Sequence, residues 1–230
     1  MLGQFLEVAL VAADASDDWQ RLQRLGFEPA PTGDIWPHAY GVVTCEGLAI
    51  GLHARGDDPL SVVFVRPEVA ALHRELSAHG IDIETARLGS DAFNELTLRE
   101  PGGIALKVLE ARSFSPPAHV PARTVPGRFR RLSLPGRDLD GAMEFWAALG
   151  ARCEPMEDPW QGFTIAGSPV ACHARRVSTG PLLVFDSPEA GARQLLEDAG
   201  FAIRPRLSAL GNAPHLVAQG PEDLTLLMML

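Results

Sequence analysis

The feature that most limits what this chain can become is that it contains itself twice. The stretch Asn94 to Glu110 reads as strand, tight turn, strand: Leu96 and Leu98 alternate with Glu95, Thr97 and Arg99, and Ile104, Leu106 and Val108 alternate with Ala105, Lys107 and Leu109. Between them, Glu100-Pro101-Gly102-Gly103 supplies a preset φ and two permissive glycines. A weaker copy closes the chain, with His215 to Gln219, a Gly220-Pro221-Glu222-Asp223 turn, and Leu224 to Leu230. Upstream, Leu149-Gly150 repeats Leu25-Gly26 and Trp160 repeats Trp36, each 124 residues later. Beyond a short deletion, His173-Ala174-Arg175 repeats His53-Ala54-Arg55, Gly200 repeats Gly80 and Pro221 repeats Pro101, each 120 residues later. An offset this consistent is hard to obtain by chance, so two copies of one fold are expected, over 1–114 and 128–230. Between them 115–127 carries Pro116, Pro117, Pro121 and Pro126 without periodicity and reads as a linker.

Each copy divides again. Phe5 to Ala12 is a strand, Asp14-Ala15-Ser16 offers capping oxygens to a helix carrying Trp19, Leu22 and Leu25, and Gly26 ends it. Tyr40 to Cys45 and Leu48 to Ala54 are two short strands around Glu46-Gly47. A second unit starts with the largely β-branched strand Leu60 to Val65. Pro67 follows in a helix first turn, then Val69, Leu72 and Leu76 at helical spacing, a stop at Gly80, and the hairpin. Phe129 onward repeats the series, giving four units of roughly 50 residues.

Composition excludes several functions. With 46% hydrophobic and 21% charged residues and no apolar run near the roughly 20 residues of a membrane span, the 230-residue chain reads as globular and not membrane-bound. The apolar N-terminal run is broken by Glu7 and has no basic region before it, so it reads as a strand and not a signal peptide, and a cytoplasmic location is expected. Cys45, Cys153 and Cys172 have no C-x-x-C spacing. A net charge of -9 disfavours nucleic acid as a partner.

The strand with an acidic helix start, the helix ending Leu25-Gly26-Phe27 and the Pro101-x-Gly103 hairpin together resemble the vicinal oxygen chelate superfamily of glyoxalases, extradiol dioxygenases and bleomycin-resistance proteins. The resemblance implies an α+β fold of tandem βαβββ modules, two per domain, each pair forming a cup-shaped half-barrel around a small molecule. It also implies where metal ligands would sit. In the first domain those places hold Glu7, Gly51, Ser61 and Lys107, with His53 next on the same face as Gly51; in the second they hold Arg131, Ala171, Leu182 and Leu227. Lysine and arginine bring positive charge and leucine no lone pair, so only Glu7 of the eight is a natural ligand.

The expectation is therefore a protein that binds a small molecule in the first cup through Glu7, His53, Ser61 and Lys107, with no metal, no cofactor and no assigned catalytic residue, and with a homodimer allowed. Glu7 and Lys107 are expected to pair across the cup. Two alternatives compete: a metal-dependent lyase, isomerase or dioxygenase with ligands displaced to Glu7, His53, Glu95 or His215, and a degenerate scaffold acting through protein contacts. Each residue has a plainer reading. Glu7 and Lys107 could face solvent, His53 and His173 could be duplicated structural residues, and Trp36 and Trp160 could be core anchors as well as lids. His38 has no motif partner and is assigned no chemistry. No phosphate loop or nucleophile elbow is present.

Overall fold

The computed structural model describes residues 2–31, 38–90, 93–111, 124–157, 160–220, 222 and 224–230. Strands and helices alternate as four βαβββ units. The first is β1 (Gln4–Val11), α1 (Ala15–Arg24), β2 (Glu28–Ala30), β3 (Tyr40–Cys45) and β4 (Leu48–His53). The second is β5 (Leu60–Arg66), α2 (Val69–Ala78), β6 (Thr85–Arg87), β7 (Glu95–Arg99) and β8 (Ala105–Glu110). The third is β9 (Arg128–Gly136), α3 (Leu139–Ala148), β10 (Cys153–Pro155), β11 (Gly162–Ile165) and β12 (Val170–Ala174). The fourth is β13 (Leu182–Asp186), α4 (Ala192–Asp198), β14 (Ala202–Arg204), a 3-10 turn at Ser208–Leu210, β15 (His215–Gln219) and β16 (Thr225–Met229). The architecture is α+β.

Two eight-stranded sheets result, ordered β2-β3-β4-β1-β5-β8-β7-β6 and β10-β11-β12-β9-β13-β16-β15-β14. The two orders are the same pattern, and in each the units join where a unit's first strand meets the other's in antiparallel register, β1 on β5 and β9 on β13. Pro29 and Pro155 cannot donate to a ladder, and both lie in outermost strands where no donor is missed.

Local chemistry repeats with the topology. Asp14 accepts from the Asp17 N–H at 3.0 Å to start α1, and Asp138 accepts from Asp140 and Gly141 to start α3. Gly26 and Gly150 then leave α1 and α3 at φ 86 and 78, a left-handed geometry that glycine takes without strain. The helix after β5 departs from expectation. Glu68 adopts φ 59 and turns the chain, so α2 starts at Val69 and Pro67 stays outside its first turn. The expected linker lies outside the described residues over 115–123. Its end is tied down, with the Val125 N–H donating to Leu25 O at 2.8 Å and the Thr124 hydroxyl to Gly127 O at 2.7 Å.

One face of each strand packs toward the helices. Val8 and Leu10 of β1, Ile50 and Leu52 of β4, Val62 and Phe64 of β5 and Leu106 and Val108 of β8 join Leu22 and Leu25 in a cluster that also takes in Leu132, Leu134, Phe163 and Phe185 from the second half. Phe27 meets Phe185 edge to face across that junction, with ring centroids 6.4 Å apart. The halves thus share one apolar core on their helical sides. The opposite faces of the two sheets have different fates.

Candidate functional site

Alternation sends the other side chains of β1, β4, β5, β7 and β8 to the far face of the first sheet, which curls around a cavity of ≈ 630 Å³ touched by residues from β1 and β4 through β8. Register fixes the neighbours. Gly51, Ala9 and Ser61 lie side by side on β4, β1 and β5. One row along, Glu7, Val63, Lys107 and Thr97 follow one another across β1, β5, β8 and β7.

Of the four residues anticipated as a site, His53, Ser61 and Lys107 line this cavity, and Glu7 lies beneath its wall, 4% exposed. The expected Glu7–Lys107 pair is not formed. Val63 stands between them in the row, so their backbones are two strand spacings apart, roughly 10 Å. Glu7 instead turns over β4, where Gly51 has no side chain in its way: a Cβ there would lie 2.7 Å from the Glu7 carboxylate. This brings Glu7 Oε1 to 3.2 Å from His53 Nε2. The other ring nitrogen, Nδ1, lies 3.0 Å from His38 Nε2, and Tyr40, opposite His53 in the β3–β4 ladder, stacks on its ring at 5.4 Å and 8°.

The carboxylate selects the tautomer. Glu7 accepts only, so His53 donates from Nε2, and its Nδ1 lone pair accepts from the His38 Nε2–H. Burial, with help from His53, Arg55 and Lys107, holds His38 below the usual imidazole range. Glu7, His53 and His38 thus form one hydrogen-bonded row along one wall.

At the rim, Arg99 bonds Glu84 and Asp58 at 2.7 and 3.0 Å, and Arg87 meets Glu95 at 3.3 Å. Sequence reasoning missed His38, Tyr40 and Thr97. Nothing in local spacing marks His38 or Tyr40, because their link to His53 exists only once β3 lies on β4. Thr97 was legible, since the hairpin register sets it opposite Lys107.

The second sheet carries the same rows with other residues. Where Ser61, Thr97 and Lys107 stand in the first, Leu182, Val217 and Leu227 stand in the second, and these join Trp160, Val177, Val184 and Leu210 in an apolar cluster that fills the concavity. Arg131, at the position matching Glu7, lays its guanidinium 4.3 Å from the Trp160 ring centre, and Trp160 is a core residue here. Trp36 lies outside the described residues. His173, fully buried, accepts from Ser133 Oγ at Nδ1 (2.8 Å) and donates from Nε2 to Ser178 O (3.1 Å), so the repeated histidine is structural in this half. Burial lowers its pKa to about 4, with Arg131 adding to the effect.

A divalent metal does not fit these residues. Glu7 is committed to His53, and Lys107 places an ammonium in the same cup. Of the displaced set, Glu95 is paired with Arg87, and His215 sits on the second sheet bonded to Leu207 N and Ala213 O. Among the described residues no three of His, Cys, Asp and Glu converge.

No protein-family model and no curated protein matches the chain. Solved structures do. It is similar to a catechol 2,3-dioxygenase, with a TM-score of 0.60 at 17% identity over 99% of this chain and 86% of that one. A halotolerant catechol dioxygenase, BphC, gives 0.61 at 14% identity over 100% and 87%. A Mn(II)-bound glyoxalase from Novosphingobium aromaticivorans gives 0.56 at 13% identity over 98% and 81%. At these identities the likeness carries the fold, the vicinal oxygen chelate fold. No helix among the described residues is long and apolar enough to cross a membrane.

Proposed function

We propose that this chain, which has the vicinal oxygen chelate fold, holds a small organic molecule in the cup of its first half without a metal, and that its second half is a structural partner. The observation that carries this reading is the contrast between two copies of one sheet. One keeps a cavity of ≈ 630 Å³ lined by His53, Ser61 and Lys107, while the other fills the same space with Leu182, Val217, Leu227 and Trp160. A cavity of that volume is in the range of small-molecule sites. Keeping it open gives up the apolar burial that the second half gains at the same positions, which favours retention for binding.

The test is a thermal-shift screen of metal-stripped protein against a chemically diverse small-molecule set, followed by metal analysis of the protein as purified. Hits that raise the melting temperature of the wild type, and not of a Ser61→Leu, Thr97→Val variant carrying the second half's residues, support the reading. Hits that appear only after a divalent metal is restored would replace it with metal-dependent chemistry.

A further inference from the structure

We infer that the ligand of the first cup is a small organic monocarboxylate, seated with its carboxylate on Lys107 and the hydroxyls of Thr97 and Ser61. The inference deepens the proposed function and rests on the cup being a binding site. Lys107 is half-buried on the cup face, and among the described residues its ammonium has no carboxylate partner. Thr97 stands directly beside it across the β7–β8 ladder, and Ser61 stands diagonally across β5. Both are buried, 9% and 2% exposed, and neither hydroxyl has a hydrogen-bond partner among the described residues. Three polar groups on one patch, all inward and none bonded to protein, open onto the cavity and are available to whatever enters it. The second half makes all three positions apolar and packs them.

Charge decides the class. The cavity lining carries four basic residues (Arg55, Arg87, Arg99 and Lys107) and four acidic ones (Asp57, Asp58, Glu84 and Glu95). The Arg87 and Arg99 guanidiniums are taken up by Glu95, Glu84 and Asp58 at the rim, which leaves Arg55, on an exposed stretch after β4, and Lys107, half-buried on the cup face itself. One ammonium flanked by two hydroxyls matches the two oxygens of one carboxylate. A dianion would place its second charge away from Lys107, in a lining whose acidic and basic residues are equal in number and which has Glu7 beneath it. The rest of the molecule would lie toward the aromatic wall made by His38 and His53.

Calorimetric titration with matched probes tests this: benzoate, phenylacetate and 2-naphthoate, their primary amides, and phenyl phosphate, each against the 230-residue protein. The expected result is binding of one or more carboxylates with their amides at least about tenfold weaker, as for a lost hydrogen bond to a charged group. Lys107→Met should weaken the carboxylate by about ten- to a hundredfold, and Lys107→Arg should retain most of the affinity, so a folding defect in the first variant does not leave the question open. Arg193→Met, on the second half, should leave it unchanged. Amides binding as tightly as carboxylates, or phenyl phosphate binding more tightly, would overturn the carboxylate assignment while leaving the cup a binding site. Failure of every probe to bind, together with an empty thermal-shift screen, would overturn both.

Discussion

Lowering the pH should destabilise this protein through His173. Its imidazole is fully buried between Ser133 Oγ and Ser178 O, and burial brings its pKa down to about 4. In the unfolded chain the same ring takes up a proton near the ordinary value of about 6.5. Above that pH both states are neutral and the contribution to stability is fully present. As the pH falls from about 6.5 toward 4 the unfolded state binds the proton and the folded state does not, so stability is lost across that window and the slope vanishes below it. The gap between the two values corresponds to a loss on the order of 3 kcal/mol, a large part of the stability of an ordinary domain. Burial-raised carboxyls such as Glu100 act with the opposite sign, because they bind protons more readily when folded. The test is therefore a difference: urea unfolding of wild type and His173→Gln at about pH 7.5 and about pH 4.5, in which the carboxyl contributions cancel. The variant should be less stable at the higher pH by about 1–3 kcal/mol, from weakened hydrogen bonds, and its disadvantage should shrink or reverse at the lower. Parallel pH curves, or an imidazole titrating near 6.5 in the folded protein by NMR, would refute the assignment.

Three further outcomes follow from the first half and the filled cup. A double-mutant cycle of Glu7→Gln with His53→Gln, read by urea unfolding, should show coupling on the order of 1–3 kcal/mol, and the cycle of Glu7→Gln with Lys107→Met should be additive to within about 0.5 kcal/mol. Coupling confined to the second cycle would return Glu7 to Lys107. Gly51→Ala should cost about 1–3 kcal/mol, since its Cβ would displace the buried Glu7 carboxylate; an unchanged denaturation midpoint would mean that Glu7 does not lie over Gly51. Leu227→Ala should cost about 2–5 kcal/mol, as for a fully buried leucine in a packed cluster, and a cost below about 1 kcal/mol would show that the second cup is not packed as described.

The repeat made the architecture legible because it was written in backbone needs. The glycines that close α1 and α3 need positive φ, and the hairpin turns need Pro and Gly, so those residues persist at a fixed offset whatever the surfaces do. The face of each candidate site residue followed from period-two alternation once one strand was placed. Partnership did not follow. Face and position alone suggested that Glu7 and Lys107 could meet, yet the β1–β5–β8 order sets Val63 between them, and the absence of a side chain at Gly51 lets Glu7 reach the diagonal neighbour His53 instead. His38 was illegible for a related reason: its hydrogen bond to His53 depends on the path of the segment before β3, which has no periodicity to read.

The two cups use one backbone in opposite ways, and the shared core links them. In the first, the inward face carries a buried Glu7–His53 pair, two hydroxyls open to the cavity and a half-buried ammonium, which together bury little apolar surface. In the second, the matching face is apolar and packed, and Leu182, Val184 and Leu227 are all about 1% exposed or less. The helical sides of both sheets meet in one cluster, where Phe27 of the first half packs on Phe185 of the second and the Val125 N–H bonds Leu25 O. Stability gained by filling the second cup is therefore available to the first through that cluster, which can then keep a polar cavity that would strain an isolated half of about 110 residues. On the proposed function the asymmetry of the cups is a division of work between the copies, and a substitution that loosens the second cup should then weaken ligand binding in the first only as far as it lowers the stability of the shared core.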